Sequence, residues 1–411
     1  MKYTYKHTLY ASYLGYITQA IVINLTSLLF IIFETDFMLT KGQIGFLISF
    51  NFCVQIATDF VAARVIDHVG FRKPVVAAHI FASVGLILLA ILPGIMQPYA
   101  GLLIAVFFMA IGGGLTEVLI SPIVEALPGE EKASAMSLLH SFYSWGLMAV
   151  VLLSTAYFAV FGLNNWRVLP VLWAIIPAYN IYLFAKVPLR NLVEESHRQK
   201  MSELFKRFSF WLVLILMVCS GAAEQAMSQW SSLFAEVGLN IPKAMGDLLG
   251  PCMFALLMGI GRTWYGIYGA KVNLSRAMFL SAGLGIVSYL TVVFSSSPVF
   301  SLIGCAVTGL AVALMWPGML SLSAKTFPRG GSAMFALLAL AGDLGCSIGP
   351  GIVGLVADGV ERGGLANLAV AWFPGAAIEQ VGLRFGLLAA IVFPLILLLG
   401  IAALRKVRAE A

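Results

Sequence analysis

Twelve apolar runs, each about long enough to cross a bilayer, decide what this chain can fold into. A membrane span takes about 20 mostly apolar residues. Runs of that kind occupy 9–33, 43–66, 74–93, 98–127, 134–161, 168–187, 208–235, 246–268, 276–295, 298–324, 332–357 and 384–404. In hydrocarbon the backbone must satisfy its own hydrogen bonds, which leaves helices or closed barrels. Barrel strands are shorter and alternate apolar with polar residues. The sequence therefore predicts an all-α membrane protein of twelve transmembrane helices. The 60% hydrophobic and 11% charged content agrees, against roughly 25% charged in soluble domains.

Lys and Arg set the expected orientation. If both ends lie on one side, that side holds Lys2, Lys6, Arg64, Arg72, Lys73, Lys132, Lys186, Arg190, Arg198, Lys200, Lys206, Arg207, Arg262, Lys271, Arg276, Lys325, Arg329, Arg405, Lys406 and Arg408. The other side holds Lys41, Arg167, Lys243, Arg362 and Arg384. The positive-inside rule makes both termini cytoplasmic, in a multi-pass protein of the cell membrane. The same bias explains the net charge of +6, so no nucleic-acid partner is implied. The first run is long, follows a short basic start and lacks a clean cleavage site, so no removable signal peptide is expected. All five cysteines lie in apolar runs without disulfide or metal spacing, and no cofactor is expected.

Six spans precede residue 187 and six follow residue 208. Residues 1–187 and 208–411 are read as two six-helix bundles, and the polar stretch 188–207 as a cytoplasmic linker. Ser134-Ala135-Met136 opens the fifth span and Ser332-Ala333-Met334 the eleventh, an echo that suggests related halves. The Gly- and Ala-rich loop 358–381 is expected to be mobile or partly re-entrant. Trp166 and Trp372 fall near outer ends, where interfacial aromatics are common.

Three carboxylates, Glu117, Glu224 and Asp343, sit inside the runs. An acid at the bilayer centre costs about 2.5–3.5 kcal/mol on insertion scales, so it normally faces a watery cavity or a partner. The sequence places no Lys or Arg at the same depth. Each acid is therefore expected to be protonated or to hold a cation, which points to transport of protons, sodium ions or a cationic solute. Glu117 lies near the midplane of the fourth span, either as a protonatable coupling site or as a structural acid. Glu224 opens a polar face with Gln225, Ser228, Gln229, Trp230, Ser231 and Ser232, which either lines a cavity or glues helices together. Asp343 follows Gly342 and either contacts a ligand or bonds a broken helix; Gly345, Gly349 and Pro350 nearby suggest a bend or close packing.

Neutral hydrogen-bonding groups accompany the acids. Gln19, Asn24, Thr26 and Ser27 in the first span, with Asn51 and Gln55 in the second, suit a hydroxyl-rich ligand. Trp230 and Trp316 are candidate platforms for a ring, against simple packing. His140 either shares protons with Glu117, contacts solute or packs; His79 is read as structural. Asp59 is read as a gate or a structural ion pair with Arg64. Nothing resembles a nucleophile–base pair or a nucleotide loop, so an enzyme is not expected.

The loop after the second span, Asp67-His68-Val69-Gly70-Phe71-Arg72-Lys73, resembles that of the major facilitator superfamily. Ala63 and His68 stand where the family pattern has a Gly and a basic residue. The resemblance implies two six-helix bundles, a cavity lined by spans one, four, seven and ten, a monomer, and an inner gate built from Asp67, Gly70, Arg72 and Lys73. Gly114-Leu115-Thr116-Glu117 with Pro122, His140 to Gly146, and Gly261-Arg262 are similar to the fucose permease branch of sugar/proton symporters. Ser27 stands where that branch has an acid, and His140 and Tyr143 where it has amides. This narrower resemblance implies proton coupling through Glu117.

The expectation is a secondary transporter moving a small neutral polar solute, sugar- or polyol-like, by alternating access with a proton (or sodium ion). Glu117 and Glu224 would couple; Asn24, Ser27, His140, Tyr143, Glu224, Gln225, Gln229, Trp230, Trp316 and Asp343 would bind. Deep acids without deep bases make an anionic solute unattractive. The alternative is an antiporter exporting cationic or amphipathic compounds, with a membrane receptor or scaffold as a third reading.

Overall fold

A computed structural model of the chain describes residues 3–125, 127, 132–189, 204–269, 272–327, 331–363 and 371–410. Most of the linker 188–207, part of the loop 358–381, and the side chains of Arg64 and Asp67 lie outside the described residues. Among the described residues, twelve helices are long and apolar enough to cross a membrane. They are α1 Tyr5–Asp36, α2 Lys41–Val69, α3 Arg72–Ile95, α4 Pro98–Glu125, α5 Lys132–Phe161, α6 Val168–Lys186, α7 Phe208–Gly238, α8 Lys243–Tyr265, α9 Leu274–Phe294, α10 Pro298–Ser323, α11 Gly331–Arg362 and α12 Ile378–Leu404. Each matches one predicted apolar run.

Several helices are interrupted, and the interruptions have identifiable causes. A proline has no N–H to donate and its ring clashes with the carbonyl four residues earlier. Pro177, Pro317 and Pro394 each follow a break by three to five residues: α6 breaks at Ala174, α10 after Val312, and α12 after Ala389. In α1 the break is a 3-10 turn over Thr26–Leu29. There the Ser27 hydroxyl donates to the Asn24 carbonyl at 2.6 Å, a local bond that competes with the helical ladder.

The chain divides into two compact units, Met1–Leu39 with Phe50–Val193, and Thr40–Ser49 with Glu194–Ala411. In unit 1, α1 packs on α4, α5 and α6, and α3 packs on α4 and α6. In unit 2, α7 packs on α10, α11 and α12, and α9 packs on α10 and α12. Every one of those pairings recurs with the labels raised by six, which is the architecture the repeated Ser-Ala-Met suggested. One assignment departs from a split at the linker: Thr40–Ser49, the start of α2, groups with unit 2. Within that unit the buried Lys41 Nζ meets Glu361 Oε1 at 2.9 Å, and Ser49 and Ser347 each donate to the other's carbonyl at 2.8 and 3.1 Å.

Turn and packing details follow from side-chain size. Gly70 takes φ of +70°, a left-handed conformation that is cheap only without a Cβ. Arg72, next to it, donates to the carbonyls of Phe184, Ala185 and Val187 at 2.8–2.9 Å, closing the C-terminal end of α6 where orphan carbonyls and the helix dipole favour a cation. Trp166 is buried against Phe33 and Phe37, whereas Trp372 is exposed and stacks on Phe294. Helices α7 and α11 approach closely, with Gly345 directly against the Val218 carbonyl. Small residues allow such approach where no water drives helices together.

Gly345→Val should therefore lower stability by at least about 1–3 kcal/mol through overpacking. Gly283→Ala, whose added methyl meets nothing nearer than Leu398 at 4.0 Å, should be neutral or slightly stabilising. Thermal unfolding of the two purified variants in detergent checks the contrast.

Candidate functional site

In unit 1 the polar side chains are organised by α1. Tyr13, Tyr16 and Gln19 recur three residues apart, so they share one side of the helix. Gln19 Nε2 donates to Glu117 Oε2 on α4 at 2.7 Å. The Tyr16 hydroxyl and Ser121 Oγ, also on α4, are 2.9 Å apart. Toward α5, the Tyr16 ring meets His140 edge-on at 5.1 Å, and Tyr13 stacks on Phe142 at 4.2 Å. At the end of the first helical segment, Asn24 Nδ2 donates to the Ala20 carbonyl at 3.0 Å and to the Tyr143 hydroxyl at 3.1 Å. Glu117, Gln19, Asn24, Ser27, His140 and Tyr143 thus lie on three mutually packed helices.

Glu117 is partly buried and its recorded donor is an amide. An amide orients a carboxylate without cancelling its charge. Among the described residues no Lys or Arg forms an ion pair with it. His79 takes no part: it is buried, with Nδ1 2.7 Å from the Val75 carbonyl and Nε2 2.8 Å from Asn180 Nδ2. That is the structural role expected of it. On α2, Gln55 Nε2 donates to Asn51 Oδ1 at 2.6 Å, and Gln55 and Asp59 lie against Gly113 and Gly114 of α4.

In unit 2 the structure corrects a central expectation. Arg262 Nη2 lies 2.8 Å from Glu224 Oε2 and 3.0 Å from Oε1, so Glu224 is not an acid without a base. Counting residues gave the depth of the Arg262 Cα, not the reach of its side chain, and a long cationic side chain displaces its charge far along the membrane normal. Arg262 lies inside the eighth apolar run, about 9 Å short of its end at 1.5 Å per residue. That position, beside Gly261, was the signal that could have revealed the pair.

The rest of the α7 face is buried. Gln229 Nε2 donates to Gln225 Oε1 at 3.1 Å, and the Ser232 hydroxyl bonds Asp247, which also pairs with Lys243 at 3.1 Å. Trp230 is fully enclosed and its indole N–H donates to the Pro350 carbonyl at 3.1 Å. Trp316 packs against Gly342, and its neighbour in sequence, Asp343, is buried beside it. Tyr289 on α9 donates to the Ala223 carbonyl at 2.8 Å, bracing α7 one residue from Glu224. Tyr16 and Ser121 in unit 1, and Arg262 and Tyr289 in unit 2, escaped the sequence reading of the site.

A model of the Major Facilitator Superfamily matches residues 12–350. The chain belongs to that superfamily. It is a multi-pass membrane transporter. Membrane protein MosC of Rhizobium meliloti is 24% identical over 296 residues, covering 71% of this chain and 69% of that protein. Among solved structures, a bacterial homologue of the human lysosomal transporter Spinster, inward-facing and occupied, superimposes with a TM-score of 0.77 at 14% identity, covering 98% and 97% of the two chains. The nucleoside transporter NupG gives 0.73 at 13% identity over 97% and 98%. The E. coli fucose:proton symporter FucP gives 0.64 at 15% identity over 96% and 97%. At these identities the likeness is one of fold.

Removing one member of a buried ion pair strands the other, at about 3–5 kcal/mol. Arg262→Met should lose about that much stability, and adding Glu224→Gln should recover most of it. Thermal midpoints of the single and double variants measure this; equal loss in both would show that the two residues do not act as a pair.

Proposed function

We propose that this transporter carries a small neutral polar solute, sugar- or polyol-like, together with a proton, and that Glu117 is the proton carrier. The observation that supports this most is the partly buried Glu117 carboxylate held by the neutral amide of Gln19 at 2.7 Å. A carboxylate with no fixed countercharge must acquire a positive ion when its surroundings lose water. On the same three helices, Asn24, Ser27, Tyr16, Ser121 and Tyr143 supply neutral donors and acceptors suited to hydroxyl groups. Two neighbours of the same fold are named for neutral, hydroxyl-rich solutes, a nucleoside and fucose.

Glu224 has no part in the coupling proposal, because Arg262 already balances it. The same pair weakens the reading as an exporter of cations, since a cation at Glu224 would have to displace a guanidinium. Transport by alternating access, a monomer, the cell membrane and cytoplasmic termini complete the proposal.

A thermal-shift screen of monosaccharides, polyols and nucleosides, at two pH values and with or without sodium, identifies the ligand. Proteoliposomes then test coupling. Glu117→Gln should abolish accumulation driven by an imposed pH gradient while sparing exchange of labelled for unlabelled solute. Accumulation that survives the substitution would remove Glu117 from the coupling step.

A further inference from the structure

The amides of unit 1 are spent unevenly. Gln19 Nε2 donates to Glu117 Oε2 at 2.7 Å, while Gln19 Oε1 is enclosed and, among the described residues, receives no donor. The side chain is only 4% exposed. Chemistry fixes its orientation: an ionised carboxylate only accepts, so the nitrogen end faces Glu117 and the oxygen points away. One turn along α4 the pattern repeats. Gln55 on α2 is fully buried, with Nε2 on Asn51 Oδ1 at 2.6 Å. Its Oε1 lies against Gly113, which shares a face of α4 with Glu117, and it too receives no donor among the described residues. Asn24 commits its Nδ2 as well, to the Ala20 carbonyl and the Tyr143 hydroxyl. Donors are consumed inside the bundle, and two amide oxygens are left over.

We propose that Gln19 Oε1 and Gln55 Oε1 receive hydroxyl hydrogens of the transported solute, so that the site selects for donors. The inference rests on the neutral-solute reading above and sharpens it. Buried acceptors in folded proteins are nearly always paired, and the exceptions serve a function or hold a ligand or water. Gln19 has the further distinction that its other end grips the proton carrier, so one amide would touch both cargoes. A hydroxyl suits such an oxygen. An ether, a fluorine or a carboxylate brings no hydrogen and would set acceptor against acceptor. A site built to bond a hydroxyl rejects the analogue lacking it far more strongly than an apolar pocket rejects a change of size. Sodium fits less well: an ion shared by Glu117 and Gln19 would need both oxygens turned toward it, whereas the nitrogen end faces the carboxylate.

Calorimetric titration of the detergent-purified full chain tests this, with D-galactose, myo-inositol and uridine as probes, each beside its monodeoxyfluoro analogues. Fluorine keeps roughly the size of a hydroxyl and removes its hydrogen. The unmodified protein should hold a bound probe about tenfold more tightly than the analogue fluorinated at a donating position. Gln19→Met should collapse that ratio to near one at one position, and Gln55→Met at another. A merely structural loss would weaken parent and analogue alike and leave the ratio standing. Leu replaces Met in a variant that does not fold, with thermal midpoints checking integrity. A ratio that survives either substitution would assign that oxygen to an internal water and overturn the proposal. So would stabilisation by sodium chloride over choline chloride that Gln19→Met removes. Both results leave the neutral-solute reading in place, whereas binding of none of the three probes would remove that reading and this inference together.

Discussion

A carboxylate inside an apolar bundle has to be answered by something, and in this protein the two acids of α4 and α7 are answered differently. Glu224 meets the guanidinium of Arg262 and forms a nearly neutral unit within the fold. Glu117 meets the amide of Gln19, which fixes its geometry and leaves its charge uncancelled. Desolvation makes these situations unequal: the pair can stay dry, whereas the amide-held acid can lose water only by taking up a positive ion. The asymmetry between units whose helices pair in the same pattern is the physical basis for assigning coupling to one of them.

The helical breaks deserve the same reading. Proline and short hydroxyl side chains interrupt the ladder in α1, α6, α10 and α12. In α1 the interruption falls at Asn24 and Ser27, beside the bond to Tyr143. In α10 it falls next to Trp316, which packs on the α11 backbone at Gly342. Polar and aromatic groups at a break occupy positions a straight helix would direct elsewhere, so the sequence elements that weaken the helix also aim its side chains.

Legibility differed by residue type. Glu117, Asn24, His140 and Tyr143 were readable because a polar group in hydrocarbon stands out, and the structure gathers them on α1, α4 and α5. Trp230 also stood out, yet it proves fully enclosed with its N–H bonded to Pro350, because an aromatic signals apolar area without saying which neighbour covers it. Tyr16 and Ser121 were passed over, being ordinary in a membrane helix until the fold brings their hydroxyls to 2.9 Å. The partners of Lys41 and Ser49 at the start of α2, Glu361 and Ser347, lie about 300 residues on in the chain, a separation that no local pattern reveals.

What the sequence by itself determined is the number of spans, the all-helical class, the paired halves and the presence of acids at depth. Hydropathy and the backbone's need for internal hydrogen bonds dictate these locally, residue by residue. Which acid keeps its charge was decided only in three dimensions. Arg262 and Glu224 lie on different helices, and whether a flexible side chain spans the gap depends on helix packing and side-chain reach, quantities that residue spacing along one chain does not contain.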